Sequence, residues 1–353
     1  MGVFKSPAFL HFSSTNQISS TQHRGNLRLI GTLLPVTCLL ALGGCTSMKV
    51  KLGWKVYLAK TPIVSMQAKT LGEPGIVPGG KTALVVTVAE TDGKTLVTEG
   101  KGGGKVMWKE LTVAADVVSV SSKGIVTLPK DPRISDGKVG HVTVTAPSHP
   151  DLRAELDIPV RYDFAFVSNF SGAAGMSGMD GSSGISGAPG SMGSIDPNNP
   201  SPGGNGGDGT DGGNGDEGHP GGDAPPVQVR VAVKTESRPL LQISVAAQGK
   251  TKFYMVDPVG GSLTVKADGG AGGSGGRGGR GGSGGSGGSG TPSGNSGRSG
   301  MDGHDGLNGS PGRGGLITVI YDPAAKAYLG DIHLSSQNGP KPVFSEETVA
   351  PLW

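Results

Sequence analysis

The stretch Gly269-Gly-Ala-Gly272-Gly-Ser-Gly275-Gly-Arg-Gly278-Gly-Arg-Gly281-Gly-Ser-Gly284-Gly-Ser-Gly287-Gly-Ser289 decides how this chain is read. Glycine occupies two of every three positions, in strict register. After a slip at Thr291-Pro292-Ser293 the period resumes at Gly294 as Gly-X-Y triplets and runs to Gly315. An earlier block, 172–221, shows the same period in reverse order. Gly-X-Y triplets run from Gly172 to Gly193, a break covers 195–201, and mainly Gly-Gly-X triplets follow from Gly203. A left-handed extended helix has three residues per turn. Glycine every third residue therefore strips one face of such a helix of side chains, and Gly-Gly-X strips two.

A bare face lets a second backbone approach closely. Three readings follow. A collagen-like triple helix among three chains would use the face at its axis, but Pro189, Pro220, Pro292 and Pro311 are few for collagen. A flexible Gly/Ser linker fits 281–290. The third reading rests on a resemblance to glycine-rich proteins that pack polyglycine-II helices side by side, with backbone groups bonded between neighbours. Charge favours that packing. Residues 171–226 hold seven acidic residues and no Lys or Arg, whereas the second block carries Arg277, Arg280, Arg298 and Arg313. Met-Asp-Gly occurs in both blocks, at Met179 and Met301. The order implies a four-run bundle with the barer runs inside, monomeric by this reading and trimeric by the collagen-like one.

Upstream, residues 29–42 form an apolar run of about 14 residues, short for a membrane span and suited to a signal-peptide core. It ends in Leu42-Gly43-Gly44-Cys45, which resembles the lipobox of bacterial lipoproteins. The resemblance implies cleavage between Gly44 and Cys45, lipidation (palmitate) of the Cys45 thiol and attachment to a membrane. Thr46 follows, rather than the Asp of inner-membrane retention, which by the same resemblance favours the outer membrane or cell surface. Cys38 lies in the leader, so no intrachain disulfide is expected. Lys5, Arg24 and Arg28 account for the whole excess of 31 basic over 28 acidic residues. With no basic tract, nucleic acid is not an expected partner.

The remainder reads as all-β. Strand-like segments at 82–89, 105–109, 117–121, 124–128, 140–146 and 152–160 alternate with turn signals. Trp108, the hairpin Val117-Val-Ser-Val-Ser-Ser-Lys-Gly124-Ile-Val-Thr and Gly140-His-Val-Thr-Val-Thr-Ala146 resemble the bacterial Ig-like group 2 domain, with 111–116 as an insertion. That resemblance implies a β-sandwich serving as spacer or adhesin, with Trp108 in its core. Further strand-like segments at 163–167, 227–234, 240–247, 252–256, 262–267 and 315–321 flank the glycine blocks, with a last one at 328–334. Up-and-down connections would place both blocks at one end of one sheet. The expected organisation is a signal peptide (1–44), an anchored linker with a first strand (45–70), and an Ig-like sandwich (71–162). A β domain (163–334) follows, with glycine-rich insertions at 172–225 and 269–315, and then a tail (335–353).

Chemistry is sparse. No His falls in a metal-ligand spacing, and the Gly-x-Ser-x-Gly matches are repeat composition without a strand–turn–helix setting. The one clustered group is Asp208, Asp211, Asp216 and Glu217, whose carboxylates suit Ca²⁺ as a hard cation. The sequence therefore reads as no enzyme and no obligatory cofactor. It reads as a surface protein with a structural, spacer or adhesive role, or as a module binding protein, carbohydrate or calcium.

Overall fold

The computed structural model describes residues 46–235 and 237–353. The expected signal peptide, its cleavage position at Gly44 and the lipid site Cys45 lie outside the described residues. Two units divide the chain, Met1–Leu52 and Gly53–Trp353. The described part of the first is a short helix, α1 (Thr46–Lys51), with Lys49 and Lys51 in its last turn, where positive charge complements the terminal carbonyls.

Gly53–Trp353 is an all-β unit. Its first half holds two sheets. One orders β1 (Ile63–Thr70), β2 (Lys81–Glu90), β6 (Ile125–Thr127) and β5 (Ser119–Val120), with β3 (Thr95–Val97) also paired to β2. The other orders β4 (Thr112–Asp116), β7 (Gly140–Ala146) and β8 (His149–Ile158). Strict alternation in β7 turns Val142, Val144 and Ala146 inward. They share a core with Leu84, Val86 and Val88 of β2, each buried Val or Leu side chain contributing about 1.5–3 kcal/mol. Trp108 lies in this core, its indole N–H donating to the Glu99 carbonyl at 3.3 Å. Gly124 is required twice over. Its φ is +72°, and a Cβ there would overlap the Trp108 ring.

Two expectations change here. Residues 105–109 make only bridges at Val106 and a 3-10 turn at Trp108–Glu110. Residues 111–116, expected as an insertion, supply β4, which satisfies the open side of β7 from Thr112↔Thr145 to Asp116↔His141.

The second half has two further sheets. The larger orders β12 (Lys250–Val256), β11 (Pro239–Ala247), β10 (Val227–Thr235), β14 (Ile317–Tyr321) and β16 (Val343–Glu346). The smaller orders β15 (Ile332–Ser335), β13 (Ser262–Lys266) and β9 (Ala165–Asn169). Buried Val229, Val231, Ile243, Leu263, Val265 and Val319 fill the space between them. The strands entering the glycine blocks, β9 and β13, pair in parallel in the smaller sheet. The strands leaving them, β10 and β14, pair in parallel in the larger one. The expectation of one sheet is thus corrected. Two layers are needed because four runs leave as two pairs, and each pair prolongs one layer. The stretch 328–334 is also shorter as a strand than expected. Asp322 caps a 3-10 segment, Pro323–Asp331, by accepting from Ala324 N at 2.9 Å, and only then does β15 begin. The stretch 335–353, expected as a tail, contributes β16 and docks Trp353 against Phe253.

An ion pair between Lys234 of β10 and Asp136, 2.8 Å apart, joins the two halves. In the segment that links them Arg161 binds Asp163 and Glu73, and within the second half Arg238 lies 2.6 Å from the buried Asp257. Hydrogen bonds from the Arg161 guanidinium hold Asp163 below the usual carboxylate range. A depressed carboxylate contributes stability above its unfolded pKa, near 4, and loses it as pH falls through the folded value. The melting temperature is therefore expected to stay level from about pH 7 to 5 and to drop below about pH 4. Asp163→Asn should remove part of that drop. Thermal unfolding across a pH series is the check, and an unchanged acid limb in the variant counts against this junction.

Candidate functional site

Four extended runs project from the second half: run one (172–193), run two (203–223), run three (269–290) and run four (294–315). Their connections follow from the sheets. The bond Phe170 N→Lys266 O beside β9 and β13 is followed by Gly172 N→Asp268 O and Gly175 N→Ala271 O, and the series continues to Gly193 N→Ser289 O. Runs one and three are thus the smaller sheet prolonged. Val227 N→Leu316 O, Ala224 N→Arg313 O and Gly221 N→Ser310 O likewise prolong the larger sheet into runs two and four.

Antiparallel bonds cross between the layers. Run two donates to run one, as in Gly213 N→Ser182 O at 2.7 Å. Run three donates to run two, as in Gly279 N→Gly213 O at 2.8 Å, and run four to run three, as in Gly303 N→Gly279 O at 2.8 Å. Runs two and three therefore each touch three neighbours, while runs one and four lie at the outer corners. The second glycines of run three, Gly270 to Gly288 at every third residue, are buried. No apolar side chain occupies this interior; backbone hydrogen bonds replace the hydrophobic core.

Short polar side chains complete the bonding. At the third triplet position of run two, Asn205, Asp208, Asp211, Asn214 and Asp223 each present Oδ1 to a backbone N–H of run four, at 2.7–2.9 Å. Asp180 of run one accepts from Arg277 N, and Asp302, Asp305 and Asn308 of run four accept from Gly281, Gly278 and Gly275 N. The Met-Asp-Gly repeats thus place equivalent carboxylates on run three from its two sides. The blocks do face each other, but the expected complementarity of charge takes another form. The contact is carboxylate to backbone N–H, with no ion pair to Arg277, Arg280, Arg298 or Arg313 among the described residues. A short Asp side chain reaches the adjacent backbone before it reaches a guanidinium.

The calcium candidates separate on this basis. All four are exposed, but Asp208 and Asp211 accept from Arg298 N and Met301 N of run four. No group of three or more His, Cys, Asp or Glu side chains placed to hold a metal occurs among the described residues. If the carboxylates serve the ladder, Asp211→Asn should leave stability within about 0.5 kcal/mol, because an amide oxygen accepts equally well at Asn205 and Asn214. Asp211→Ala should cost about 1 kcal/mol. Calorimetric unfolding with and without millimolar calcium tests this. A calcium-dependent gain lost in Asp211→Asn would restore the metal reading.

Everything outside the ladder points outward. Met176, Met179, Ile185, Met192, Ile195, Met301 and Leu307 are each more than 70% exposed. On the face shared by runs one and three, Ser274 donates to Ser177, and Ser283 to Ser186, at 3.0 Å. With about 3.1 Å per residue, rows repeat every ~9.3 Å and a run of ~22 residues spans roughly 70 Å. The arrangement can present a flat, regularly spaced surface. His219 and His304 lie on different runs, and no nucleophile–base pair forms on the bundle. Sequence reasoning overlooked the ladder, though its signal was available: Asp or Asn at the third position of five triplets in run two. Neither protein-family models nor curated proteins match this chain.

Proposed function

We propose that the chain is a cell-envelope lipoprotein, anchored through lipid on Cys45, that displays a polyglycine-II rod. In this reading the first half is an Ig-like spacer and the second a β base. The rod serves a structural or adhesive role at the outer membrane or cell surface, without catalysis. The observation that carries the reading is the bundle's economy. Its glycine faces and backbone groups are used within one chain, which favours a monomer over a collagen-like trimer and leaves the side chains free for contact. Deleting the two glycine-rich insertions, 172–223 and 269–315, and joining β9 to β10 and β13 to β14 by short turns tests it. Loss of surface attachment or envelope integrity, with the remaining protein still anchored, is expected. Unchanged attachment and integrity would overturn it. A second reading, a carbohydrate-binding surface, is favoured by the paired serine hydroxyls of runs one and three. A blank glycan array would remove it.

A further inference from the structure

Each sheet of the second half ends in a strand with one open edge, β9 in the smaller and β12 in the larger. These two strands run antiparallel beside each other and are tied at both ends. Asp257 N donates to Tyr162 O at 3.1 Å, and Lys252 Nζ donates to Asn169 O at 3.5 Å. Between the ties they part around a cavity of about 610 Å³.

The backbone polarity of this cleft follows from the ladders. Ser262 N→Phe164 O and Phe170 N→Lys266 O place the even-numbered residues of β9 toward β13. The N–H and C=O groups of Ala165 and Val167 therefore point into the cleft. The bond from Asp257 N sets the opposite edge in the same way, so Thr251 and Phe253 of β12 turn their backbone groups inward. The floor is aromatic, with the Phe166 and Tyr254 rings 6.0 Å apart. Val167 and Phe164 are 58% and 49% exposed at its mouth. The rim is basic. Lys130, Arg133 and Lys252 stand against one carboxylate, Asp131, which Arg133 already holds at 2.6 Å.

We propose that this cleft binds an extended peptide segment of another protein, with alternating apolar and acidic residues. Its strand pairs with both open edges and joins the two sheets into one. The two rows of unpaired backbone groups supply the main-chain bonds, the aromatic floor takes the apolar side chains, and the cationic rim takes the acidic ones. β9 has five residues, about 17 Å of strand, so four or five peptide residues are in register. The cavity lies in the size range of ligand sites and sits between the two halves of the unit, where such sites concentrate. Display by the glycine bundle is a separate matter, and neither proposal depends on the other.

The test is calorimetric titration of the full chain with a capped heptapeptide of alternating Glu and Val. The comparison peptides are a Lys/Val heptapeptide and an N-methylated Glu/Val heptapeptide. Saturable binding of the Glu/Val peptide is expected, at least ~10-fold tighter than either comparison. Val167→Pro removes an N–H that faces the cleft and lies outside the ladder, and proline is tolerated on edge strands. It should weaken binding at least ~10-fold with the melting temperature retained. Lys130→Glu, on an exposed side chain, provides a variant that does not touch the backbone. It should weaken Glu/Val binding and strengthen Lys/Val binding. Absence of saturable binding, equal binding of the N-methylated peptide, or indifference to both variants would overturn the proposal. So would a dimer by light scattering that Val167→Pro abolishes, which would assign the cleft to a second copy of this chain.

Discussion

Gly279→Val is expected to unravel the glycine bundle, while Gly213→Ala in the run beside it leaves the bundle intact. Gly279 is buried in run three, donates to Gly213 O and accepts from Gly303 N, both at 2.8 Å. A Cβ at this position would overlap the carbonyl oxygen of Ser182 in run one. That atom is backbone and cannot rotate away. Run one would have to move, stretching Gly181 N→Arg277 O and Gly184 N→Arg280 O, each now 2.7 Å. Two or three lost backbone bonds at about 1 kcal/mol each, added to overpacking of about 1–3 kcal/mol, give a loss of roughly 3–6 kcal/mol, against a typical total stability of about 5–15 kcal/mol. At Gly213 a Cβ meets the Ser182 hydroxyl oxygen at 3.0 Å and its amide nitrogen at 3.2 Å, contacts that a small shift relieves. Thr210, Asp216 and His219 already fill equivalent positions of the same run. The reduced freedom of the unfolded chain, about 0.4–1 kcal/mol, offsets what strain remains. Limited trypsin digestion reads the difference directly, because Arg277 and Arg280 lie on run three. Rapid cleavage there is expected in Gly279→Val and slow cleavage in the parent chain and Gly213→Ala. Equal susceptibility of all three would contradict close packing of the runs.

Removal of Leu352 and Trp353 should destabilise the second half by about 4 kcal/mol. Gln242 is 1% exposed and, among the described residues, its side chain is satisfied by these two, donating to Trp353 O at 3.4 Å and accepting from Leu352 N at 3.0 Å. Left unpaired and buried, its amide costs about 1–3 kcal/mol. The Trp353 indole N–H donates to the Asp136 carboxylate at 2.8 Å, a charge-assisted bond of about 1.5–3 kcal/mol. Its ring packs edge-on against Phe253 at 5.7 Å, adding about 0.5–1.5 kcal/mol. Phe253 in turn carries the Arg133 guanidinium 3.9 Å above it, so the clasp reaches from β12 into the first half. Trp353→Phe keeps the ring and the Gln242 contacts and should cost only about 2 kcal/mol. Denaturant unfolding followed by tryptophan emission tests both. A truncation that matches the parent chain would show that the clasp does not contribute.

Much of the fold was legible because it depends on local repetition. Strict alternation through Gly140–Ala146 determines which side chains of β7 face inward, whatever the strand pairs with. Likewise a period of three determines which positions of the runs lack a side chain. The readings that changed were those resting on neighbours distant in sequence. Residues 111–116 become a strand because β7 has an open side to satisfy, and residues 105–109 bridge Val56 and Thr98 instead of joining a ladder. The carboxylates of Asp208 and Asp211 read as a ligand cluster from spacing alone. Their partners are backbone N–H groups 90 residues away, which no local pattern announces.

The sequence by itself determined the all-β character, the bare faces of the four runs and the order in which barer and fuller runs follow one another, because side-chain size and period act within a few residues. Tertiary structure decided that entry and exit strands occupy different sheets. It also decided that Trp353 meets Asp136 across 217 residues and that β9 and β12 part around an open cleft. Each of these rests on which distant backbone groups find partners, and that is settled only when the whole chain closes on itself.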